Sequence, residues 1–195
     1  CIGGCDSKKV YSDCFILKWD ADKEIVETAD FPSLPEPLSF MTGAMANNKI
    51  FVAGGQSKMK DASATKSFYM LDLSKRGTDD FKWVSLRSWP GPPRVLSVSS
   101  SQSDGVHNCF YLFSGRNIQP DATTVPLTDV YKFDIITQTW ERLSDISTAD
   151  KEGICVMAGL SWTCGANHIM VVGGDEGPVY LELEKLSDRI KEAEK

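Results

Sequence analysis

Two arginines are the side chains of this sequence best suited to bind a small acidic molecule. Arg116 follows the small-residue pair Ser114-Gly115, and Arg94 follows a proline-rich stretch. Because the planar guanidinium group can hold a carboxylate through two parallel hydrogen bonds, both residues predict a carboxylate-binding site. Each could instead be a solvated arginine or one that pairs with a carboxylate between neighbouring sheets, and the sequence leaves these interpretations open.

Other polar side chains occupy related positions. Gln56, Asp175 and Glu176 also come after pairs of small residues, and Glu36 comes shortly before a predicted strand, as Arg94 does. We expect Gln56 and Asp175 to contribute to substrate binding and Glu176 to be a candidate acid or base. Glu176 could also be the acidic residue that a helix N-terminus attracts, since it lies beside Pro178.

The cysteines and histidines do not form a motif for metal binding or nucleophilic catalysis. The six cysteines are irregularly spaced, and His107 and His168 have no partner at a ligand spacing. His107 stands two residues before Cys109 in a predicted strand, where a core or turn role is favoured over catalysis. We therefore predict no metal and no cofactor, and we expect most cysteines to be small buried residues with free thiols.

A repeat positions the candidate residues. A strand that ends in two small residues recurs four times, at intervals of roughly 50 to 60 residues. After each of the first three pairs, an aromatic strand runs to an aspartate, and two of the three units continue to a tryptophan, Trp83 or Trp140. The small-residue pairs are Gly3-Gly4, Gly54-Gly55, Ser114-Gly115 and Gly173-Gly174. The aspartates are Asp20, Asp72 and Asp134, for which we predict structural turn roles.

The repeat predicts an all-β propeller of the kelch type, with one four-stranded sheet, or blade, per period. Asn47-Asn48 is a tight hairpin signal, and the innermost strands are predicted near 40–46, 95–101 and 154–162. Two strands, two complete blades and two further strands make about three blades in all. Because closed propellers have four to eight blades, we expect a segment of a longer propeller or a half that another chain completes.

Two regions are predicted along the chain. Residues 1–178 form the propeller segment, and residues 179–195 form a helical insertion or the start of an interrupted blade. In the second region Leu183, Leu186 and Ile190 fall on one face of a helix, with charged residues elsewhere.

Composition excludes several classes of protein. The 195 residues are 42% hydrophobic and 10% aromatic, which is typical of a folded globular chain and not of a disordered one. The net charge of −6, without a cluster of Lys and Arg, argues against nucleic-acid binding. No apolar run is long enough to predict a membrane span, and the first residues show no secretory signal.

The repeat pattern resembles kelch repeats over nearly the whole chain. More narrowly, Cys1-Ile2-Gly3-Gly4-Cys5-Asp6, followed by Tyr11-Ser12-Asp13-Cys14-Phe15-Ile16-Leu17, resembles the kelch-type sialic acid mutarotases, also called N-acetylneuraminate epimerases. The helical pattern after Gly173-Gly174-Asp175 is similar to an insertion in the cyclically permuted branch of that family. This resemblance implies a six-bladed propeller, of which the chain would be about half, in a bacterial protein exported to the periplasm.

The resemblance also implies an activity, the cofactor-free interconversion of the α and β anomers of N-acetylneuraminate. Such a reaction needs an acid and a base on opposite sides of the anomeric carbon, and a cation for the sugar carboxylate. The family's characteristic motif, Ser-Gly-Glu with a later Arg-Thr, has no match, because Ser114-Gly115 is followed here by Arg116-Asn117. No catalytic residue is therefore carried over, and we expect the catalytic pair to lie in the missing half.

Two functions of different classes remain, because the same repeat supports both. The first is a sugar mutarotase that acts on a sugar acid, and the second is a kelch module that binds proteins without catalysis. A carboxylate site at Arg116 or Arg94 favours the first, and a contiguous apolar patch on the loop face favours the second. In either case we expect the remaining half of the propeller, or a second copy of the chain, to close the ring.

Overall fold

The fold is built from short β-strands. The computed structural model describes residues 1–60, 63–147, 153–166 and 168–172, and within them the chain is all-β apart from a 3-10 turn at Leu73–Lys75. The strands are β1 (Ile2–Cys5), β2 (Val10–Asp20), β3 (Ile25–Phe31), β4 (Thr42–Ala46), β5 (Lys49–Ala53), β6 (Phe68–Asp72), β7 (Val84–Ser85), β8 (Val98–Ser103), β9 (Asn108–Phe113), β10 (Arg116–Ile118), β11 (Thr124–Pro126), β12 (Val130–Asp134), β13 (Thr139–Arg142), β14 (Leu160–Cys164) and β15 (His168–Val172).

Successive strands form antiparallel meanders. Strands β4 to β7 form one four-stranded sheet, and β8, β9, β12 and β13 form a second, with β4 and β8 at the inner edge. Strands β1 to β3 form a three-stranded sheet, and β14 pairs with β15. The predicted all-β class and the arrangement of one sheet per repeat are therefore confirmed.

The structure corrects the predicted strand count in two places. Ile2–Cys5 forms a strand that pairs with β2, so the first sheet has three described strands and not two. A separate hairpin, β10 with β11, occupies the loop after Ser114-Gly115. The sequence does not predict this hairpin because all three residues of β11 are exposed and show no alternation of apolar and polar side chains.

The inner strands begin later than the sequence predicts. Strands β4, β8 and β14 start two, three and six residues after the predicted positions of 40, 95 and 154. A residue with positive φ precedes each of them, namely Phe40, Leu96 and Ala158, with φ of 55°, 53° and 51°. Since the left-handed conformation interrupts an extended backbone, each inner strand can begin only after that residue.

The predicted turns are confirmed. Ala46 pairs with Lys49 across a two-residue loop, and Asn47 and Asn48 have φ of 50° and 57°. Two consecutive left-handed residues form a type I′ turn, a conformation that asparagine tolerates. At the ends of the aromatic strands, the aspartate carboxylates accept backbone N–H groups from the turn that follows, at 2.8 to 3.1 Å. These aspartates are Asp20, Asp72 and Asp134.

Two apolar cores lie between successive sheets. Adjacent residues of β5 point to different cores, Val52 towards the first sheet and Phe51 towards the sheet that contains β8, as the period of a strand requires. In the second core Phe51 and Phe68 contact Phe110 and Phe133, with ring centroids 5.0 to 6.0 Å apart. Each such side chain contributes about 1.5 to 3 kcal/mol by burial, so stacking of the sheets stabilises strands that would be marginal alone.

Some predictions lie outside the described residues. They concern the fourth glycine pair at 173–174, Asp175, Glu176, the boundary at 178 and the helical region 179–195. All six cysteines are described and unpaired, but only Cys14, Cys109 and Cys155 are buried, so the prediction that most of them are buried is wrong. The described ranges contain no helix that is long and apolar enough to cross a bilayer. In the same ranges, no group of three or more His, Cys, Asp and Glu side chains could hold a metal ion.

Candidate binding face

Repeated backbone hydrogen bonds gather the predicted site residues at one edge of the sheets. In the three small-residue pairs that the structure describes, the N–H of the second residue donates to a carbonyl just before the next inner strand. These bonds join Gly4 to Leu38 and Gly55 to Arg94 at 2.8 Å, and Gly115 to Val156 at 3.1 Å. We call this edge the binding face, and define it as residues 36–41, 54–56, 94–97 and 114–118.

The backbones approach closely at the binding face, which favours small residues there. Gly54 has a φ of 71°, and a Cβ there would lie 2.4 Å from the carbonyl oxygen of Arg94. In the next repeat Ser114 takes this position with a φ of 58° and is completely buried. Its hydroxyl donates to the Leu127 carbonyl at 3.0 Å and accepts the Val156 N–H. These two bonds offset the cost of a left-handed serine and tie the repeat to the next one.

Arg116 starts the β10–β11 hairpin on this face. Its N–H donates to the Val95 carbonyl at 3.0 Å, and its carbonyl accepts the Val95 N–H at 2.9 Å, so the backbone is fixed on both sides. The residue is half-buried, its Nε is buried without a hydrogen-bond partner, and it forms no ion pair with any described residue. An arginine with an unpaired, desolvated N–H is suited to an anionic ligand that supplies the missing acceptor.

Ser97 adds a second unpaired polar group beside this arginine's backbone. Its Cα lies 2.7 Å from the position of the Cβ that Gly115 lacks. Ser97 is 5% exposed, and its hydroxyl has no partner in the described structure. The face therefore offers a guanidinium group and a hydroxyl whose hydrogen bonds are unmade.

The side chain of Arg94 lies inside the protein and not at its surface. Its side chain is completely buried, donates to the Ser114 carbonyl at 3.0 Å, and forms an ion pair with Asp129 at 2.9 Å. The guanidinium carbon also lies 5.4 and 5.3 Å from the ring centroids of Trp89 and Tyr131. Of the interpretations that the sequence leaves open, the geometry matches an arginine paired with a carboxylate. The Arg94 backbone bonds to Gly55 and Thr65, next to the β4–β7 sheet, and its side chain binds Asp129, which precedes β12.

Gln56 and Glu36 both lie on the binding face, and both have internal partners. The Gln56 amide donates to the Lys58 carbonyl at 2.9 Å, and the residue is 6% exposed. The Glu36 carboxylate accepts hydrogen bonds from the Ser67 hydroxyl and, at 2.8 Å, from the Tyr69 hydroxyl. Burial, together with this carboxylate, raises the pKa of Tyr69 to about 12. Asp175 and Glu176, the other candidates, lie outside the described residues.

Comparison with known proteins identifies the family. The sequence model of N-acetylneuraminate epimerase matches residues 31–191. The chain belongs to the N-acetylneuraminate epimerase family. It is 32% identical over 123 residues to an N-acetylneuraminate epimerase of Salmonella enteritidis, and 31% identical over 152 residues to one of Yersinia enterocolitica. The two matches cover 63% and 77% of the chain.

This chain spans only part of the length of the epimerases that it matches. The two matches cover 29% of the Salmonella protein and 34% of the Yersinia protein. A solved structure, that of YjhT, has the same fold, with a TM-score of 0.56 at 21% sequence identity. That similarity covers 82% of this chain and 45% of the YjhT chain. The described residues therefore form a portion of the architecture found in a longer protein.

Sequence reasoning missed Asp129 and Ser97. Asp129 directly precedes the aromatic strand β12, as Ser67 precedes β6, and these two residues bind Arg94 and Glu36 in their respective repeats. Because the equivalent residue of the preceding repeat, Ser67, is not a carboxylate, the repeat pattern does not predict the buried ion pair. Nothing in the sequence marks Ser97, since it is one of several serines in the same stretch.

Proposed function

We propose that this chain is part of a mutarotase that interconverts the α and β anomers of N-acetylneuraminate. Membership of the N-acetylneuraminate epimerase family supports the substrate and the reaction type. The observation that carries the proposal is the unpaired, buried Nε of Arg116 at the binding face. In this proposal the guanidinium group of Arg116 binds the sugar carboxylate and so fixes the anomeric carbon relative to the rest of the site.

The chemical step is proton transfer without a cofactor. The ring oxygen gains a proton while the anomeric hydroxyl loses one, which breaks the bond between the ring oxygen and the anomeric carbon and leaves a ketone. Rotation and the reverse transfer close the ring with the other configuration. The Glu36 and Asp129 carboxylates have internal partners, so the acid and the base come from elsewhere in the protein. Glu176 and Asp175 remain candidates for the site.

The site needs a complete propeller. We propose that the full ring has six blades and that a longer chain, of which these residues are about half, closes it. We further propose that the protein acts on free sialic acid in the bacterial periplasm.

Ligand binding tests the role of Arg116. The natural full-length protein carrying Arg116→Ala should bind N-acetylneuraminate about tenfold to a hundredfold more weakly than the unaltered protein, because a charged hydrogen bond is lost. The methyl ester of the same sugar, which lacks the carboxylate, should bind both proteins equally. Arg142→Ala is the matched control, because Arg142 lies on the outer strand β13 and pairs with Asp145. Isothermal titration calorimetry measures all six affinities.

Two results would count against this role. Equal affinity of the Arg116→Ala and unaltered proteins for N-acetylneuraminate would show that another group binds the carboxylate. If the unaltered protein binds neither sugar, the alternative of a protein-binding kelch module would be favoured.

A further inference from the structure

Ser97 differs chemically from the residues that take its place in the neighbouring repeats. The residue that follows each left-handed residue before an inner strand is Met41, Ser97 or Gly159. Met41 packs against the apolar core that contains Val52, whereas Ser97 places at this position a buried hydroxyl without a hydrogen-bond partner among the described residues. Burial of an unpaired hydroxyl costs free energy that an apolar side chain at the same position does not cost. A ligand that supplies the missing partner would account for this cost.

Arg116 differs in the same way from its equivalent in the preceding repeat. Backbone pairing of Ser39 with Gln56 corresponds to the pairing of Val95 with Arg116. The Gln56 side-chain amide has an internal acceptor, the Lys58 carbonyl at 2.9 Å. The Nε of Arg116 is buried without a partner in the part of the chain that the structure describes. One repeat therefore contains both of the unpaired groups, and the repeat before it contains neither.

Gly115 brings Ser97 and Arg116 together. It directly precedes Arg116, and the Cα of Ser97 lies 2.7 Å from the position of the Cβ that Gly115 lacks. Across the junction Val95 forms two backbone hydrogen bonds with Arg116 and stands two residues before Ser97. Both unpaired groups are thus attached to one fixed junction of the backbone, so a single small ligand can contact both.

The remaining unpaired atoms have a different origin. Within the described ranges, two further buried side-chain atoms lack a hydrogen bond, the Nε of Arg94 and one carboxylate oxygen of Asp129. These two residues already form an ion pair at 2.9 Å through their other atoms. Ser97 has no such internal partner for its hydroxyl, which leaves it available to a ligand.

We propose that the Ser97 hydroxyl binds the same sugar carboxylate as the Arg116 guanidinium group and so helps to select a sugar acid. The inference rests on the proposed function, in which Arg116 binds that carboxylate. A carboxylate has two oxygens with about four acceptor positions, so one oxygen can accept from Arg116 and the other from Ser97. A serine hydroxyl moves between three staggered positions by rotation about one bond, which lets it turn towards a bound ligand. Donors from two strands then hold the plane of the carboxylate and the adjacent anomeric carbon.

Ser97→Ala should have opposite effects on stability and on binding. In the natural full-length protein without ligand, Tm should stay equal or rise, because the variant removes a buried hydroxyl that has no partner. Affinity for N-acetylneuraminate should fall by about tenfold, because a hydrogen bond to a charged group is lost. Ser97→Gly, which copies Gly159 of the next repeat, is a second variant with the same expected loss of affinity.

The matched control is Ser88→Ala. The Ser88 hydroxyl donates to the Lys66 carbonyl, and both residues lie outside the binding face. This variant loses an internal hydrogen bond, so its Tm should fall while its affinity for N-acetylneuraminate stays unchanged. Thermal denaturation and isothermal titration calorimetry measure the two quantities for every variant.

The methyl ester of N-acetylneuraminate shows which part of the sugar Ser97 contacts. Because the ester lacks the carboxylate, it should bind the Ser97→Ala and unaltered proteins equally. An equal loss of affinity for the ester and for the free acid would show that Ser97 contacts another part of the sugar, and would overturn the proposal.

A double variant shows whether Ser97 and Arg116 share one ligand group. Ser97→Ala combined with Arg116→Ala should lose less affinity than the product of the two single losses, because both side chains bind the same carboxylate. In exchange kinetics Ser97→Ala should raise KM and leave kcat nearly unchanged, as expected for a group that binds the ground state and the transition state equally. Single losses that multiply in the double variant would contradict a shared carboxylate.

Unchanged affinity of Ser97→Ala would also overturn the proposal. If Arg116→Ala weakens binding and Ser97→Ala does not, the role of Ser97 is wrong while the proposed function stands. If the unaltered protein does not bind N-acetylneuraminate, the proposed function fails together with the role of Ser97.

Discussion

At the level of single residues, the two candidate arginines differ in their ion pairing. Both have an Nε that is buried without a partner among the described residues, but Arg94 is also enclosed by two aromatic rings and paired with Asp129. The cost of removing two charges from water is offset for Arg94 by the ion pair and by the hydrogen bond to Ser114. For Arg116 the described residues supply no such compensation, which is why, of the two arginines, we assign ligand binding to Arg116 alone.

Substitution of Arg94 should lower the stability of the fold. Arg94→Ala leaves the Asp129 carboxylate buried without its partner, and we expect a loss of about 3 to 5 kcal/mol in the free energy of unfolding. The double variant Arg94→Met with Asp129→Leu should recover most of that loss, because no unpaired charge remains. Urea denaturation measures both, with the exposed Arg76→Ala as a control that should change stability by less than about 0.5 kcal/mol. A loss for Arg94→Ala no larger than that of the control would contradict the structural role.

The hydrogen bond between His107 and Asp134 should make the stability of the fold depend on pH in the acidic range. The hydrogen bond from His107, 2.7 Å long, and those from the following turn lower the pKa of Asp134 to about 2. A carboxyl whose folded pKa is depressed stabilises the fold above its unfolded pKa, and this contribution is lost as the pH falls from about 4 to 2. Asp134→Asn should therefore flatten the fall of Tm over this window.

The control for the acid dependence is Asp79→Asn, at an exposed residue without a hydrogen bond to the described residues. This variant should keep the slope of the unaltered protein. If Asp134→Asn keeps the same slope as well, the proposed origin of the acid dependence is wrong.

At the level of elements, the glycine pairs decide how closely successive sheets approach. Gly54 and Gly77 both have positive φ, 71° and 86°, but only Gly54 meets a neighbouring backbone. A comparison of alanine substitutions at Gly54 and Gly77 therefore separates the cost of a left-handed conformation from the cost of a steric clash.

Gly54→Ala should be much more destabilising than Gly77→Ala. At Gly77 nothing lies within 4 Å of an added Cβ, so the expected loss is the conformational cost of about 1 to 2 kcal/mol. At Gly54 the added Cβ would meet the Arg94 carbonyl oxygen at 2.4 Å, and we expect at least about 2 kcal/mol more. Thermal and urea denaturation measure both variants. Equal losses at the two positions would show that the sheets can separate without cost.

The sequence predicts the strands whose pattern is local and fails where long-range contacts decide. The strands Phe68–Asp72 and Val130–Asp134 end at the predicted aspartates, because aromatic alternation and a terminal aspartate mark them. Trp83, which the repeat marks, lies just before the two-residue β7, where it is buried and donates to the Pro32 carbonyl at 2.8 Å. At the candidate site, the sequence finds Arg116 by its position after a glycine, but burial and the partner of Arg94 depend on packing that no local pattern encodes.

At the level of the whole molecule, the described residues form sheets of three, four and four strands, the pair β14 and β15, and the β10–β11 hairpin. The matches cover 29% of the Salmonella relative and 34% of the Yersinia relative. These proportions support our proposal that further blades of a longer chain complete the ring.

The rate of anomer exchange is the most direct test of the proposed mutarotase. Exchange NMR spectroscopy on α- and β-N-acetylneuraminate, with the natural full-length protein, measures that rate without a coupled assay. We expect the unaltered protein and Arg142→Ala to accelerate exchange well above buffer, and Arg116→Ala to lose most of the acceleration. An exchange rate equal to that of buffer with the unaltered protein would contradict the proposed function, and full acceleration by Arg116→Ala would contradict the assigned site.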